Sequence, residues 1–170
     1  MLFSNQFGRF PITSNRGSKY VVIFYIYDAN FFKSVPIKSR SKEELLRAYR
    51  LVYAYLTTWG FRPQLHKMDK LTSHNIKTFI CKENTHLQYT PPNIHRFNLA
   101  EQEICKWKNH FLSGIAGLLK TFPIANRCRL TNQTDFTLNM LWPCCQNPAL
   151  LVFKALKGSY LFDATLMALL

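Results

Sequence analysis

Acidic side chains are scarce in this chain: nine Asp and Glu stand against 22 Lys and Arg, a formal net charge of +13 at pH 7. Such an imbalance does not dictate a fold, but it favours a polyanionic partner, either nucleic acid or an anionic membrane surface. Long hydrophobic runs are missing too. The longest strongly apolar stretch, Val21 to Tyr27, falls far short of the roughly 20 residues that a spanning helix needs. The opening Met1-Leu2-Phe3-Ser4-Asn5 has no basic segment followed by a long apolar one. No signal peptide is therefore visible, and an intracellular protein with no membrane partner is expected. Cysteine is limited to Cys81, Cys105, Cys128, Cys144 and Cys145. An odd number with an adjacent pair makes a poor disulfide framework, and free thiols fit an intracellular chain. The five histidines form no H-x₃₋₅-H pair and there is no C-x-x-C, which argues against a structural zinc site. A glycine-rich phosphate loop is also absent, and no local signature marks a Cys-His catalytic pair.

What is present is globular. Apolar residues make up 48% and aromatics 15% of 170 residues, enough for one domain with a proper core and too few for two comfortable ones. Leu2 to Phe10 reads as a short strand, Ser14 to Ser18 as a turn, and Lys19 to Tyr27 as a buried strand rich in Val, Ile, Phe and Tyr. Asp28-Ala29-Asn30 is a turn into a third strand, Phe31 to Ile37, which completes an antiparallel meander over residues 1–40. The hydrophobic period then changes from two to 3.6. Ser41-Lys42-Glu43-Glu44 has the form of a capping box, Leu45, Ala48, Val52, Tyr55 and Leu56 follow at helical spacing, and Gly60 sits where a left-handed cap belongs. Gln64 to Asp69 predicts a strand, Ser73 to Glu83 a helix, Thr85 to Thr90 a strand, and Asn98 to Leu112 a helix with Ala100, Ile104, Trp107 and Phe111 inward. Residues 41–112 thus alternate helices and strands, which requires parallel pairing. Residues 113–170 predict helices over Phe122 to Met140 and Pro148 to Leu156. The expected product is one α/β domain over 1–170, a mixed five-stranded sheet flanked by helices. Trp59, Trp107 and Trp142 read as core or interface anchors, and Arg47 and Arg50 as ordinary surface.

Metal-assisted phosphoryl chemistry needs clustered carboxylates that hold two divalent ions about 4 Å apart, and hard cations such as Mg²⁺ take oxygen ligands. Of the nine acids, Asp69 ends a predicted strand and Glu101 lies one turn into a predicted helix. Each has a plain alternative. Asp69 can cap the helix near Ser73, and Asn98-x-x-Glu101 is itself a capping pattern. Asp28 also ends a strand, in a setting that suits a turn residue.

The context of this pair is similar to the catalytic core of copia-type retrotransposon integrases. Leu65-His66-Lys67-Met68-Asp69 resembles the strand that carries their second aspartate. Pro91-Pro92, His95-Arg96 and Asn98-Leu99-Ala100-Glu101 resemble the stretch that introduces their catalytic helix, which Trp107-Lys108-Asn109-His110-Phe111 continues. Gly8-Arg9-Phe10-Pro11, Arg16-Gly17, Leu138-Asn139-Met140-Leu141 and Asn147-Pro148-Ala149 extend the resemblance over nearly the whole chain. It implies a ribonuclease-H-like fold and DNA integration by two-metal phosphodiester chemistry. Asp69 and Glu101 would be Mg²⁺ or Mn²⁺ ligands, with retroelement ends and target DNA as partners. A homo-oligomer and nuclear action are further implications. Three positions depart from the family pattern. Asn5 stands where the first aspartate belongs, Lys70 where asparagine follows the second, and Gln102 where arginine follows the glutamate. Asparagine keeps a carbonyl oxygen but carries no charge, so a degenerate site with impaired catalysis is expected. The alternative is a non-catalytic nucleic-acid-binding remnant of a retroelement polyprotein. Lys67 and Lys70 beside Asp69, with Arg96, Lys106 and Lys108 around Glu101, would form a cationic rim for phosphate backbones.

Overall fold

Strand-forming residues crowd the start of the chain, and there they pair. In the computed structural model, which describes residues 1–68, 73–89, 99–118, 120–145 and 147–152, β1 (Leu2–Phe7), β2 (Tyr20–Ile26) and β3 (Phe31–Ile37) form an antiparallel meander. The β2–β3 turn closes on Asn30, which takes a left-handed φ of 57° and donates its N–H to the Tyr27 carbonyl at 3.1 Å. Helix α1 (Lys42–Thr58) then leads to β4 (Leu65–Met68), and α2 (His74–Lys82) to β5 (His86–Tyr89). β4 lies parallel to β1 and β5 parallel to β4, so the sheet order is β3-β2-β1-β4-β5. Helix α3 (Leu99–Ala116), a 3₁₀ turn (Ile124–Asn126) and α4 (Arg127–Leu141) follow.

Side chains alternate across a strand, and the sheet accordingly has two buried faces. Leu2, Val22, Phe24 and Ile26 meet Val52, Leu56, Ile76 and Ile80 of α1 and α2. Phe3, Ile23, Tyr25 and Phe32 meet Ile104, Trp107, Phe111 and Leu138 of α3 and α4. β2 is covered on both faces, which explains why it reads as one continuous apolar run rather than as an alternation.

The termini of α1 follow from its sequence. Ser41 Oγ accepts the Glu44 N–H at 3.3 Å. Only half of the expected capping box forms, because the Glu44 carboxylate accepts the Lys38 N–H at 3.1 Å instead. At the other end Gly60, at φ 73°, donates to the Thr57 carbonyl, and Phe61 donates to the Leu56 carbonyl. This reciprocal pair is a Schellman motif, which needs a left-handed residue where Gly60 stands. Two expectations for the C-terminal part change. Pro123 opens a 3₁₀ turn, so α4 begins at Arg127 rather than near Phe122. Residues 148–150 form a turn, and Leu151 bridges Pro143 where a helix was expected from Pro148; residues 153–156 lie outside the described residues. Trp107 is fully buried, whereas Trp59 is 41% exposed and does not anchor the core.

α4 also closes one edge of the sheet. Asn139 accepts the Phe32 N–H and donates to the Phe32 carbonyl, both at 2.8 Å. One turn away, Asp135 accepts the Ser34 N–H at 2.7 Å and the Ser34 hydroxyl at 2.9 Å. Side chains of a helix thus supply the partners that a further strand would have offered to β3.

Candidate metal and nucleic-acid site

Strand parity decides where the first candidate points. On β1, Ser4 faces α1, since its hydroxyl lies 2.8 Å from the Tyr49 hydroxyl. Phe3 and Phe7 pack with the α3–α4 core, so Asn5, between them, shares their side of the sheet. Asn5 is half-buried and pairs with Ile23 of β2. Cations hold the rings on either side of it. Lys67, in register with Phe3 on β4, places Nζ 5.8 Å from the Phe3 ring centre. Lys108 of α3 places Nζ 5.4 Å from the Phe7 ring centre. Both lie within cation–π range.

Glu101 lies in the first turn of α3. It precedes Lys108 by two turns, and seven residues at 100° each bring the two side chains to within about 20° of the same helix face. α3 runs in the same sense as β1. Its C-terminal half touches the strand end, with Phe111 at 6.4 Å from Phe7 and 5.9 Å from Phe10. Its N-terminal half lies by Tyr25, which pairs with Phe3; the phenol is pushed up by burial, with the Cys145 and Glu103 charges adding to the rise. Glu101 is itself half-buried.

Asp69, Lys70 and Arg96 lie outside the described residues; β4 ends at Met68. Lys106 turns away from the group. It bonds Glu103 at 2.6 Å and covers the Trp142 ring at 5.4 Å, on the side of α3 that meets the end of α4. Among the described residues, no three His, Cys, Asp or Glu side chains gather closely enough to hold a metal ion. Among them, too, no helix is long and apolar enough to cross a membrane.

Two buried polar groups escaped the sequence reading. His66 is fully buried on the α1 side, with Nδ1 2.9 Å from the Tyr53 hydroxyl and Nε2 3.0 Å from the Ser4 hydroxyl. Burial pushes its imidazole down to about 3. Asp135 bonds Trp107 Nε1 at 2.8 Å as well as Ser34, and Lys33 Nζ stands 3.8 Å away. Burial pushes its carboxyl up to about 6, against the opposing pull of Lys33 and these hydrogen bonds. Neither belongs to the Asn5 region. Asp135 marked no motif, since its partner Ser34 lies 101 positions away.

A mixed five-stranded sheet in this order, with helices on both faces, defines the ribonuclease-H-like arrangement. It is the fold of retroviral integrase catalytic cores. The chain matches the bovine immunodeficiency virus (BIV) integrase catalytic core with a TM-score of 0.63 at 7% identity, covering 99% of this chain and 97% of that one. It matches the HTLV-2 integrase catalytic core in complex with magnesium at 0.60 and 12% identity, covering 82% and 84%. A chain of the simian T-cell lymphotropic virus intasome, in complex with PP2A regulatory subunit B56 gamma, gives 0.69 at 12% identity. That match covers 95% of this chain but only 55% of the intasome chain, so the sequence spans about half of that relative. No family model and no curated protein matches the sequence.

Proposed function

We propose that this chain is an integrase-catalytic-core-like domain that engages DNA over the Asn5–Glu101 region, with a metal site degraded at its first position. The observation that carries this reading is the placement of Asn5. It lies on the α3 face of β1, between the two rings that Lys67 and Lys108 cover, in a chain with the integrase-core fold; the approach of Glu101 to it is part of the proposal. The donors in the expected set, the Asn5 carbonyl, Asp69 and Glu101, are all oxygens and suit Mg²⁺ or Mn²⁺. An amide in place of a carboxylate removes one negative charge, so the fit is to a weakly held ion. When bound, such an ion activates water or a 3′-hydroxyl against a phosphodiester. Lys67 and Lys108 would meet phosphate oxygens and set the position of the backbone without reading bases. Lys70 and Arg96 are proposed as further phosphate contacts, retroelement ends and target DNA as substrates, a homo-oligomer as the working form and the nucleus as the place of action.

Asn5→Asp tests the site. End-processing and strand transfer, assayed with Mg²⁺ or Mn²⁺, are expected to be weak or absent in the natural chain and to appear in Asn5→Asp. Activity in neither would remove the enzymatic reading. The neutral amide at Asn5 also favours a second reading, a non-catalytic nucleic-acid-binding remnant, which predicts salt-sensitive duplex binding and no gain of activity in Asn5→Asp.

A further inference from the structure

Residues 1–42 contain seven Lys and Arg and a single acid, Asp28. The fold sorts these charges by position. Asp28 lies in the β2–β3 turn, at one end of the meander. Arg9, Arg16 and Lys19 lie in the β1–β2 connection, and Lys38, Arg40 and Lys42 lie where β3 passes into α1, all at the opposite end and all exposed. The two groups are joined. Lys19 donates its N–H to the Ile37 carbonyl at 3.1 Å, and the Arg40 guanidinium donates to the Gly8 carbonyl at 3.1 Å while covering the Tyr20 ring at 4.8 Å. A Cβ on Gly17 would come within 3.6 Å of the Lys38 side chain. The acids nearest in sequence are Glu43 and Glu44, and Glu44 is already matched by Arg47 at 3.1 Å.

The connection between β1 and β2 is held in shape. Asn15 donates its N–H to the Ala125 carbonyl at 2.8 Å and its side-chain amide to Asn126 at 2.6 Å. Arg127, 4% exposed, donates to the Ser18 carbonyl at 3.0 Å and stacks on Phe10 at 4.6 Å. Its Nη1 has no hydrogen-bond partner among the described residues, so a buried cation lies beneath the loop. A surface ordered in advance forfeits less entropy when it binds. The patch is also continuous with the site: Lys108 covers Phe7, Phe7 packs on Phe10 at 5.4 Å, and Phe10 carries Arg127.

We infer that the β1–β2 connection and the β3–α1 junction form a second phosphate-backbone contact, which extends the duplex track beyond the Asn5 site toward Arg16, Lys19 and Lys38. This rests on the reading of the chain as a DNA-engaging domain. The test is anisotropy of a labelled duplex of arbitrary sequence over a NaCl series. It compares the full chain with Arg16→Gln/Lys19→Gln/Lys38→Gln and with Lys67→Gln/Lys108→Gln. Each phosphate contact contributes about 0.9 to the slope of log K against log salt. The triple variant is expected to lower that slope by roughly 2–3, and a lysine-only version, Lys19→Gln/Lys38→Gln, by roughly 2. Thermal melts matching the parent chain would show that folding is intact. An unchanged slope in the triple variant, with a lowered one in the Lys67/Lys108 variant, would overturn this inference and leave the proposed site standing. A lowered slope only in the triple variant would support the patch and count against the site. No duplex binding by the parent chain, or tighter binding to anionic vesicles than to duplex, would overturn the inference.

Discussion

Replacing His66 with Gln converts a buried titrating group into one that cannot titrate. The imidazole is held neutral between Tyr53 and Ser4, and its pKa falls from an ordinary value of 6.5 to about 3. Below pH 6.5 the unfolded chain binds a proton at His66 that the folded chain refuses. Stability tied to this group is therefore full above 6.5 and is lost as pH falls toward 3. A shift of about 3.5 units at 1.36 kcal/mol each gives about 5 kcal/mol over that window. At pH 7.5 the variant loses the stacking on Tyr49 and Tyr53 at 5.5 and 6.0 Å, with an expected cost of about 2 kcal/mol. The two stability curves should then cross near pH 5, about 1.5 units below the unfolded pKa, with the variant more stable on the acid side. Urea unfolding followed by tryptophan fluorescence at a series of pH values measures the difference directly and cancels every other titrating group. A difference that stays constant from pH 7.5 to 3.5 would refute the argument.

Asp135→Asn should act in the opposite sense. The folded pKa lies above the unfolded one, 3.8 against about 6, so the parent chain gains about 3 kcal/mol from this group as pH falls from 6 to 4. The variant should lack that gain. At pH 7 its stability should change by no more than about 1–2 kcal/mol, since relief of the buried charge offsets one unmade hydrogen bond to Ser34 or Trp107. The same urea series reports both. Gly60→Ala meets no atom within 4 Å but must hold φ 73°, so it should cost about 1 kcal/mol through backbone strain alone. A melting temperature unchanged from the parent would count against the Schellman assignment.

The elements that were legible in the sequence are those whose cause is local. β3 occupies Phe31–Ile37 as its composition predicts, and α1 starts and stops at Ser41 and Gly60. The site was legible only in part. Asn5, Lys67 and Lys108 are brought to one side of the sheet, which strand parity makes legible for Asn5 and Lys67. The helical period also separates Lys106 from Lys108 by 200°, and the structure turns Lys106 toward Trp142 accordingly. What could not be read depends on contacts across the fold. Glu44 completes the Lys38 N–H instead of its own cap. His66 and Asp135 carry no sign in their neighbours that one will be sealed under α1 and the other wedged against β3.

The clasp of Asn139 and Asp135 on β3 has a consequence for assembly. An uncovered strand invites a neighbouring molecule to continue the sheet, and many proteins aggregate or polymerise that way. Here the outward N–H and C=O of Phe32 and the N–H of Ser34 are already spoken for by α4. The sheet is therefore finite along this border, and copies of the chain that associate must do so through side-chain surfaces rather than by growing one shared sheet through β3.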